Sequence, residues 1–248
     1  MKQPLAIDLC CGLGGWTEGL LAEGYRVVGF DIERHVYGEH RYPAQLVLQD
    51  VLTIHGAQFK HADLIVASPP CQEYSYMAMP WSIAKQKARD YENGVLDVKQ
   101  LTALFDACFR IQREACEAAG RHIPLVVENV RGAQRWVGRA RWHFGSFYLW
   151  GDVPALMPIT RKAIKVAGFR FDGSGRSFQS EAVKGVGIGS ISWGQGAGNR
   201  HPNDPRNTWS KSPARKAASA MIAKIPLVLS RWIAHAWKPT DLSDRRTA

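Results

Sequence analysis

The stretch from Leu5 to Glu33 leaves few folds open to this chain. Leu5 to Leu9 is an apolar run of strand character that breaks at Cys10-Cys11-Gly12-Leu13-Gly14-Gly15. A helix-like segment, Trp16 to Glu23, stops at Gly24, and a second strand, Tyr25 to Phe30, closes on Asp31-Ile32-Glu33. Strand, glycine turn, helix and strand make a βαβ unit, because parallel neighbours need a long crossover. The expectation is an α/β chain built on a doubly wound, mostly parallel, Rossmann-like sheet. At 248 residues there is room for one such domain and a small appended lobe.

The turn also selects a ligand class. Glycines let backbone approach a ligand closely, and an acid ending the second strand can bind both hydroxyls of a ribose. The dinucleotide fingerprint G-x-G-x-x-G is not met, because the run is Gly12-x-Gly14-Gly15 and the last position falls on Thr17. Asp8 suits the ammonium of a methionine-like ligand better than a pyrophosphate. The pattern favours S-adenosylmethionine over NAD, with a plain tight turn as the alternative.

Further along, Gln45 to Leu48 reads as a third strand with Asp50 at its end, an acid that either meets an adenine amino group or caps the next turn. Asp63 to Ala67 is the fourth strand, stopped by Pro69-Pro70 and followed by Cys71. Prolines cannot donate to a ladder and stiffen the chain, so this stop holds a thiol at the carboxyl edge of the sheet, where open α/β folds place ligands. The plainer reading is a strand-to-loop junction with an inert cysteine.

Gln72 to Gly94 reads as a long loop in which Tyr74, Tyr76, Trp81 and Tyr91 alternate with Lys85, Lys87 and Arg89. Such interleaving suits nucleic acid, or else a lid packed by its own aromatics. Val95 to Ala119 has helical spacing and carries Cys108 and Cys116 as core residues. His122 to Val127 is a fifth strand delivering Glu128-Asn129-Val130, an acid placed for proton transfer. Arg139 and Arg141 could share one face of a strand, and Trp142 to Trp150 continues as a hairpin arm. From Gly151 the chain turns glycine-rich, and helical character returns from Pro213 to Trp237. The domain expectation is therefore a catalytic domain over 1–150, a recognition lobe over 151–212, and a returning helix with a charged tail over 213–248.

A net charge of +10 points to an anionic partner, first of all nucleic acid. The cysteines are odd in number, and neither a disulfide framework nor a zinc site follows from their spacing; no metal is expected. Met1-Lys2-Gln3-Pro4 runs straight into a strand, so no signal peptide is expected, and no apolar run approaches a membrane span. The expected setting is cytoplasmic, with no membrane partner.

In their order, Asp8-Leu9-Cys10-Cys11-Gly12-Leu13-Gly14-Gly15, Pro69-Pro70-Cys71-Gln72, Glu128-Asn129-Val130 and Arg139-x-Arg141 resemble the cytosine-C5 DNA methyltransferase family, in its small bacterial or phage form. The resemblance covers residues 5 to 150 and, weakly, the final helix. It implies an S-adenosylmethionine-dependent enzyme acting on double-stranded DNA as a monomer, in a bacterium or encoded by its phage, as in restriction-modification. Cys71 would add to C6 of a flipped cytosine, Glu128 would protonate N3, and Arg139 and Arg141 would hold the base and favour a thiolate. Asp31 would bind the ribose, Ile32 flank the adenine and Asp50 meet its amino group. Asp8, Cys10, Gly12, Gly14, Gly15 and Pro70 would complete the cofactor site. Gln72 and Ser75, the loop's Lys85, Lys87 and Arg89, and the lobe's Arg200, Arg206 and Lys211 would face DNA. The family's usual Phe is Cys10 here, its common aromatic is Ile32, its Gln is Gly138, and its closing Gly-Asn falls on Ile222 and Ala223.

Two other readings stay open: the same chemistry on RNA, as in the tRNA-methylating branch, and a non-catalytic DNA-binding protein on a methylase fold. An adenine amino-methylating enzyme fits less well, since that class wants Asp-Pro-Pro-Tyr where this chain has Ser68-Pro69-Pro70-Cys71.

Overall fold

The computed structural model describes residues 3–72, 74, 81–157, 216, 220–221 and 223–239. The chain divides into two compact units, one made of Met1–His35, Tyr42–Pro158 and Ile225–Ala248, the other of Val36–Arg41 and Ile159–Lys224. In the second, β3 (Val36–Tyr37) and β4 (His40–Arg41) form an antiparallel hairpin that sequence reading does not anticipate.

The first unit carries the sheet. Its strands are β1 (Leu5–Leu9), β2 (Arg26–Asp31), β5 (Gln45–Leu48), β6 (Leu64–Ala67), β7 (Leu125–Asn129), β8 (Trp142–Phe144) and β9 (Phe147–Gly151). They lie in the order β5-β2-β1-β6-β7-β9-β8. The first five are parallel, and the β8–β9 hairpin adds antiparallel strands at one edge. The fold is thus α/β with a mostly parallel sheet, as expected from the opening βαβ unit. The strand order reverses between β1 and β6, and ligands of such sheets lie beyond the carboxyl ends at that point.

Strand alternation sorts the core onto two faces. Ile7, Leu9, Ile65, Ala67, Leu125 and Val127 pack on one side with Phe105, Cys108 and Ile111 of α3 (Val98–Ala119). Ala6, Leu64, Val66 and Val126 pack on the other with Trp16 and Leu20 of α1 (Gly15–Ala22), and with Leu229 and Ile233 of α5 (Leu227–Ala236), which follows the short α4 (Gln134–Val137) in the chain. Each fully buried Leu or Ile contributes about 1.5–3 kcal/mol relative to exposure. Gly19 sets how closely α1 meets α5, since a Cβ there would lie 2.5 Å from the Arg231 backbone nitrogen. Tyr25 Oη donates to the Ala234 carbonyl at 3.0 Å, and Arg231 pairs with Glu23 at 2.9 Å.

Several boundaries differ from the sequence reading. The supposed loop Gln72 to Gly94 contains a helix, α2 (Trp81–Glu92). Its lysines and aromatics mask a narrow apolar contact, the buried pair Ala84 and Ala88 four residues apart. The next helix starts three residues late, at Val98, where Asp97 caps it by accepting from Lys99 N–H at 2.8 Å. The arm from Trp142 to Trp150 is a complete hairpin turning at Gly145, and Arg139 and Arg141 precede it rather than lie on a strand. The helical character expected from Pro213 is broken at Pro226, which stands at the N-cap of α5, while Lys216, Ala220, Met221 and Ala223 before it are helical as expected.

Candidate active site

The carboxyl ends of β1, β2, β6 and β7 bring two groups of side chains to one edge. After β1 the backbone enters the left-handed region at Cys10 (φ 53), Gly12 (φ 50) and Gly14 (φ 80). Gly14 is the N-cap of α1, and a Cβ there would lie 2.5 Å from Pro43 Cδ, so glycine is required on both counts. Asp31 ends β2 and accepts from the Gly12 N–H at 2.9 Å and the Glu33 N–H at 3.3 Å. His35 Nε2 lies 3.4 Å from its Oδ1. Burial raises the Asp31 carboxyl, but the bonds from His35, Gly12 and Glu33 outweigh it and hold the group below its ordinary value.

Asp8 is fully buried, and burial pushes its carboxyl up to about 8. Its Oδ2 accepts from Thr17 Oγ1 at 2.6 Å, and that hydroxyl also meets Tyr42 Oη at 2.7 Å. Its Oδ1 has no hydrogen-bond partner. Asp50 caps the following 3-10 turn, accepting from Leu52 N–H at 2.9 Å.

On the other side of the switch point, β6 runs out into Ser68-Pro69-Pro70-Cys71, with Ser68 N–H still donating to Leu9 O at 3.1 Å. Asn129, the last residue of β7, donates from its side chain to Pro69 O at 2.9 Å and ties the proline turn to the neighbouring strand. Glu128 precedes it. Burial raises Glu128 to about 8, and the side chain of Ser68, at the end of the neighbouring strand, draws it partly back. Burial, and next the Glu128 charge, push the Cys71 thiol up to about 11. The two groups are therefore coupled, and at neutral pH both hold their protons.

Arg139 and Arg141 are exposed, and neither figures among the charges acting on Cys71. The Arg141 N–H donates to Leu149 O at 2.8 Å, so its backbone extends the hairpin ladder. Gln72, Lys85 and Arg89 are exposed and Lys87 is half-buried. Tyr74 faces inward instead, donating from Oη to Leu101 O at 2.7 Å, and Tyr91 packs edge-on against Trp136. These two aromatics belong to the packed-lid reading. Pro69, Pro70, Tyr74, Leu101 and Phe105 line a cavity of about 230 Å³ beside the cysteine turn. Ser75, Arg200, Arg206 and Lys211, and most of the expected lobe, lie outside the described residues.

Ser68, Trp16, Thr17 and Asn129 escape sequence reading as site residues. Only Asn129 left a signal, its place directly after Glu128 at a strand end.

A nucleoside-bearing cofactor fits the first group. A Cβ on Gly12 would meet nothing within 4 Å, so space is open at the turn. Ile32 is 73% exposed and offers a bare apolar surface beside Asp31. The Asp31 carboxylate has about four acceptor sites and keeps capacity for a ribose hydroxyl, and the unpartnered Asp8 Oδ1 suits a cationic donor. Among the described residues no cluster of His, Cys, Asp and Glu could hold a metal ion, and no helix is long and apolar enough to cross a membrane.

A mostly parallel sheet of this order, with a glycine turn and an acid on adjoining strands, defines the class of the S-adenosylmethionine methyltransferase folds. Within that class the chain belongs to the C-5 cytosine-specific DNA methylase family, whose model matches residues 5–132. No curated protein matches the chain. Among solved structures it is similar to a DNA modification methyltransferase encoded within an E. coli prophage, with 22% identity over 53% of this chain and 33% of that one and a TM-score of 0.34. The Entamoeba histolytica methyltransferase EhMeth shares 18% identity over 56% and 41% of the two chains, with a TM-score of 0.35. The S. pombe Dnmt2 methyltransferase shares 14% over 96% and 99%, with a TM-score of 0.44. The chain thus spans about a third and two fifths of the first two.

Proposed function

We propose that this chain is an S-adenosylmethionine-dependent DNA (cytosine-5-)-methyltransferase acting through a covalent bond between Cys71 and C6 of a flipped cytosine. The observation that carries the reading is the coupled pair at the ends of β6 and β7, a thiol and a carboxyl that both hold protons at neutral pH. C6 of cytosine becomes electrophilic when N3 is protonated or hydrogen-bonded, and a carboxyl raised to about 8 is available as that donor. Cys71 gives up its proton as the Sγ–C6 bond forms, which makes C5 nucleophilic. With the thiol pushed up to about 11, attack depends on positive charge arriving with the substrate complex. The exposed Arg139 and Arg141 are assigned that role as they close on the base. S-adenosylmethionine supplies the electrophilic methyl group that C5 takes. Loss of the C5 proton and cleavage of Sγ–C6 then release 5-methylcytosine.

Asp31 would hold the ribose, Ile32 the adenine face, Asp50 the adenine amino group and Asp8 the ammonium, with Cys10, Gly12, Gly14, Gly15 and Pro70 shaping the pocket. Gln72, Lys85, Lys87 and Arg89 are assigned to DNA, as are Ser75, Arg200, Arg206 and Lys211. The base must leave the duplex to reach a thiol at a sheet edge, so flipping is part of the proposal.

The test exploits the order of bond making. Fluorine at C5 cannot leave as a cation, so duplex DNA carrying 5-fluorocytosine at the target should trap the enzyme covalently, and only with S-adenosylmethionine present. Cys71→Ser should abolish both adduct and turnover. A denaturation-resistant adduct that persists in Cys71→Ser overturns the proposal, and methyl transfer to tRNA but not to DNA moves it to the RNA branch.

A further inference from the structure

Resting on the assignment of Asp50 to the adenine, we infer that Arg110, braced by Glu114, is a positioning residue that fixes the Asp50 carboxylate where it meets the amino group of the cofactor. Asp50 follows β5, and the Gln49 N–H before it donates to the Asp31 carbonyl at 2.8 Å, so the acid leaves the sheet beside the strand that ends in Asp31. Its Oδ1 accepts from the Leu52 N–H at 2.9 Å, and its backbone carbonyl accepts from Thr53 Oγ1 at 2.8 Å. The cap takes Oδ1 and leaves Oδ2 for a ligand.

The capped turn, Val51–Thr53, has only three residues, and 3-10 bonds are poorly aligned. Val51 and Ile54 are buried, but Leu52 between them is 48% exposed, so packing does not fix its peptide groups. Arg110 of α3 holds them instead. Its Nη2 donates to Leu52 O at 3.2 Å and its Nη1 to Ile54 O at 2.7 Å. Leu52 is thus gripped on both sides, through its N–H by Asp50 and through its carbonyl by Arg110. A planar guanidinium reaches two carbonyls from two nitrogens at once, with a fixed geometry that a lysine ammonium lacks.

Glu114, one turn further along α3, pairs with Arg110 at 3.1 Å and accepts from the Gly56 N–H at 2.6 Å. Together the two side chains hold alternate residues 52, 54 and 56 against α3. Gly56 lets the chain come that close, because a Cβ there would collide with Ile111 O. The base of the clamp is rigid, since α3 is anchored in the core through Phe105, Cys108 and Ile111. Asp50 is therefore set before a ligand arrives. An adenine amino group donates to it, whereas a purine with hydrogen in that place leaves the carboxylate unpaired. Loosening the turn should cost the adenine-bearing ligand more than its deaminated counterpart.

Calorimetric titration with S-adenosylhomocysteine and with its 6-deamino purine analogue tests this as a ratio of affinities. The wild-type chain should favour the adenine ligand, and Arg110→Ala should lower that preference roughly ten-fold, the worth of about one hydrogen bond. Glu114→Gln keeps an acceptor for Gly56 but not the charge beside Arg110, and should lower the ratio about three-fold. Should Arg110→Ala fail to fold, Arg110→Lys keeps the charge without the fork and should also lower it about three-fold. In an Asp50→Ala background, Arg110→Lys should leave the ratio unchanged. Equal weakening of both ligands by the Arg110 variants, or wild-type affinity for both, makes the clamp a brace of the fold alone and overturns the inference. Equal affinity of the wild-type chain for the two ligands sinks instead the assignment of Asp50 to the amino group, and the inference falls with it.

Discussion

Asp31 and Glu128 are equally buried, each 8% exposed; Asp31 ends β2, and Glu128 is the last residue but one of β7 in the same sheet. Their carboxyls nevertheless move in opposite directions. Asp31 meets burial with two backbone N–H donors and His35, and stays ionised. Glu128 has against burial only the side chain of Ser68, and keeps its proton to about pH 8. Burial sets the cost of a charge, and the number of donors aimed at it decides whether the charge survives. One half of the edge is thereby suited to binding polar hydroxyls, and the other to delivering a proton.

The largest expected effect comes from removing the proton that distinguishes Glu128. Glu128→Gln should lower kcat by about 10²–10⁴, the usual worth of a general acid or base, and should erase the basic limb near pH 8. DNA binding, read by titration with labelled duplex, should hardly change. The same variant has a stability signature. The folded carboxyl holds its proton up to about pH 8, whereas the unfolded chain releases it near 4.5, so Glu128 makes the protein less stable as pH rises through that interval. Glu128→Gln should therefore raise the melting temperature at pH 8, by roughly 2–4 °C for each kcal/mol relieved, and the gain should vanish toward pH 4.5. An equal gain at both pH values would mean that the carboxyl is not held neutral.

Asp31 should respond to a different measurement. Asp31→Ala removes an ionised hydrogen-bond acceptor, and S-adenosylmethionine affinity should fall roughly 10- to 150-fold, about 1.5–3 kcal/mol, in calorimetric titration. Wild-type affinity in that variant would dissolve the contrast between the two acids.

The smallest effect is expected at the cysteines that share chemistry with Cys71 but not its place. Cys108 is fully buried within α3, its thiol donating to Leu104 O at 3.2 Å, and Cys116 Sγ accepts from the Ile123 N–H at 3.2 Å. Cys108→Ser and Cys116→Ser should leave methyl transfer unchanged and cost about 1 kcal/mol in chemical denaturation. Loss of turnover in either, with folding intact, would make the cysteine turn less special than its position suggests.

Much of this architecture is legible in the chain because apolar strand runs and helical stripes are local patterns. The runs ending at Leu9, Leu48 and Ala67, the glycine turn, and the stripe through Phe105 and Ile111 all yield elements close to those observed. Where local pattern and environment part, reading fails. In α2 the charged residues outnumber the two small buried alanines that hold it, so the segment looks like a loop. The split of Trp142 to Trp150 into β8 and β9 turns on Gly145 alone.

Residue types and their order along the chain determine that an acid, a thiol and a second acid arrive at successive strand ends. Their protonation was decided only by the tertiary structure, through contacts between residues far apart in sequence. Trp16 is 52 positions from Ser68, whose hydroxyl accepts its indole N–H, and Leu5 is 58 from the Asp63 carboxyl that accepts its N–H. No spacing rule encodes such pairs, because they exist only once β1, β6 and β7 lie side by side and water has left the edge between them.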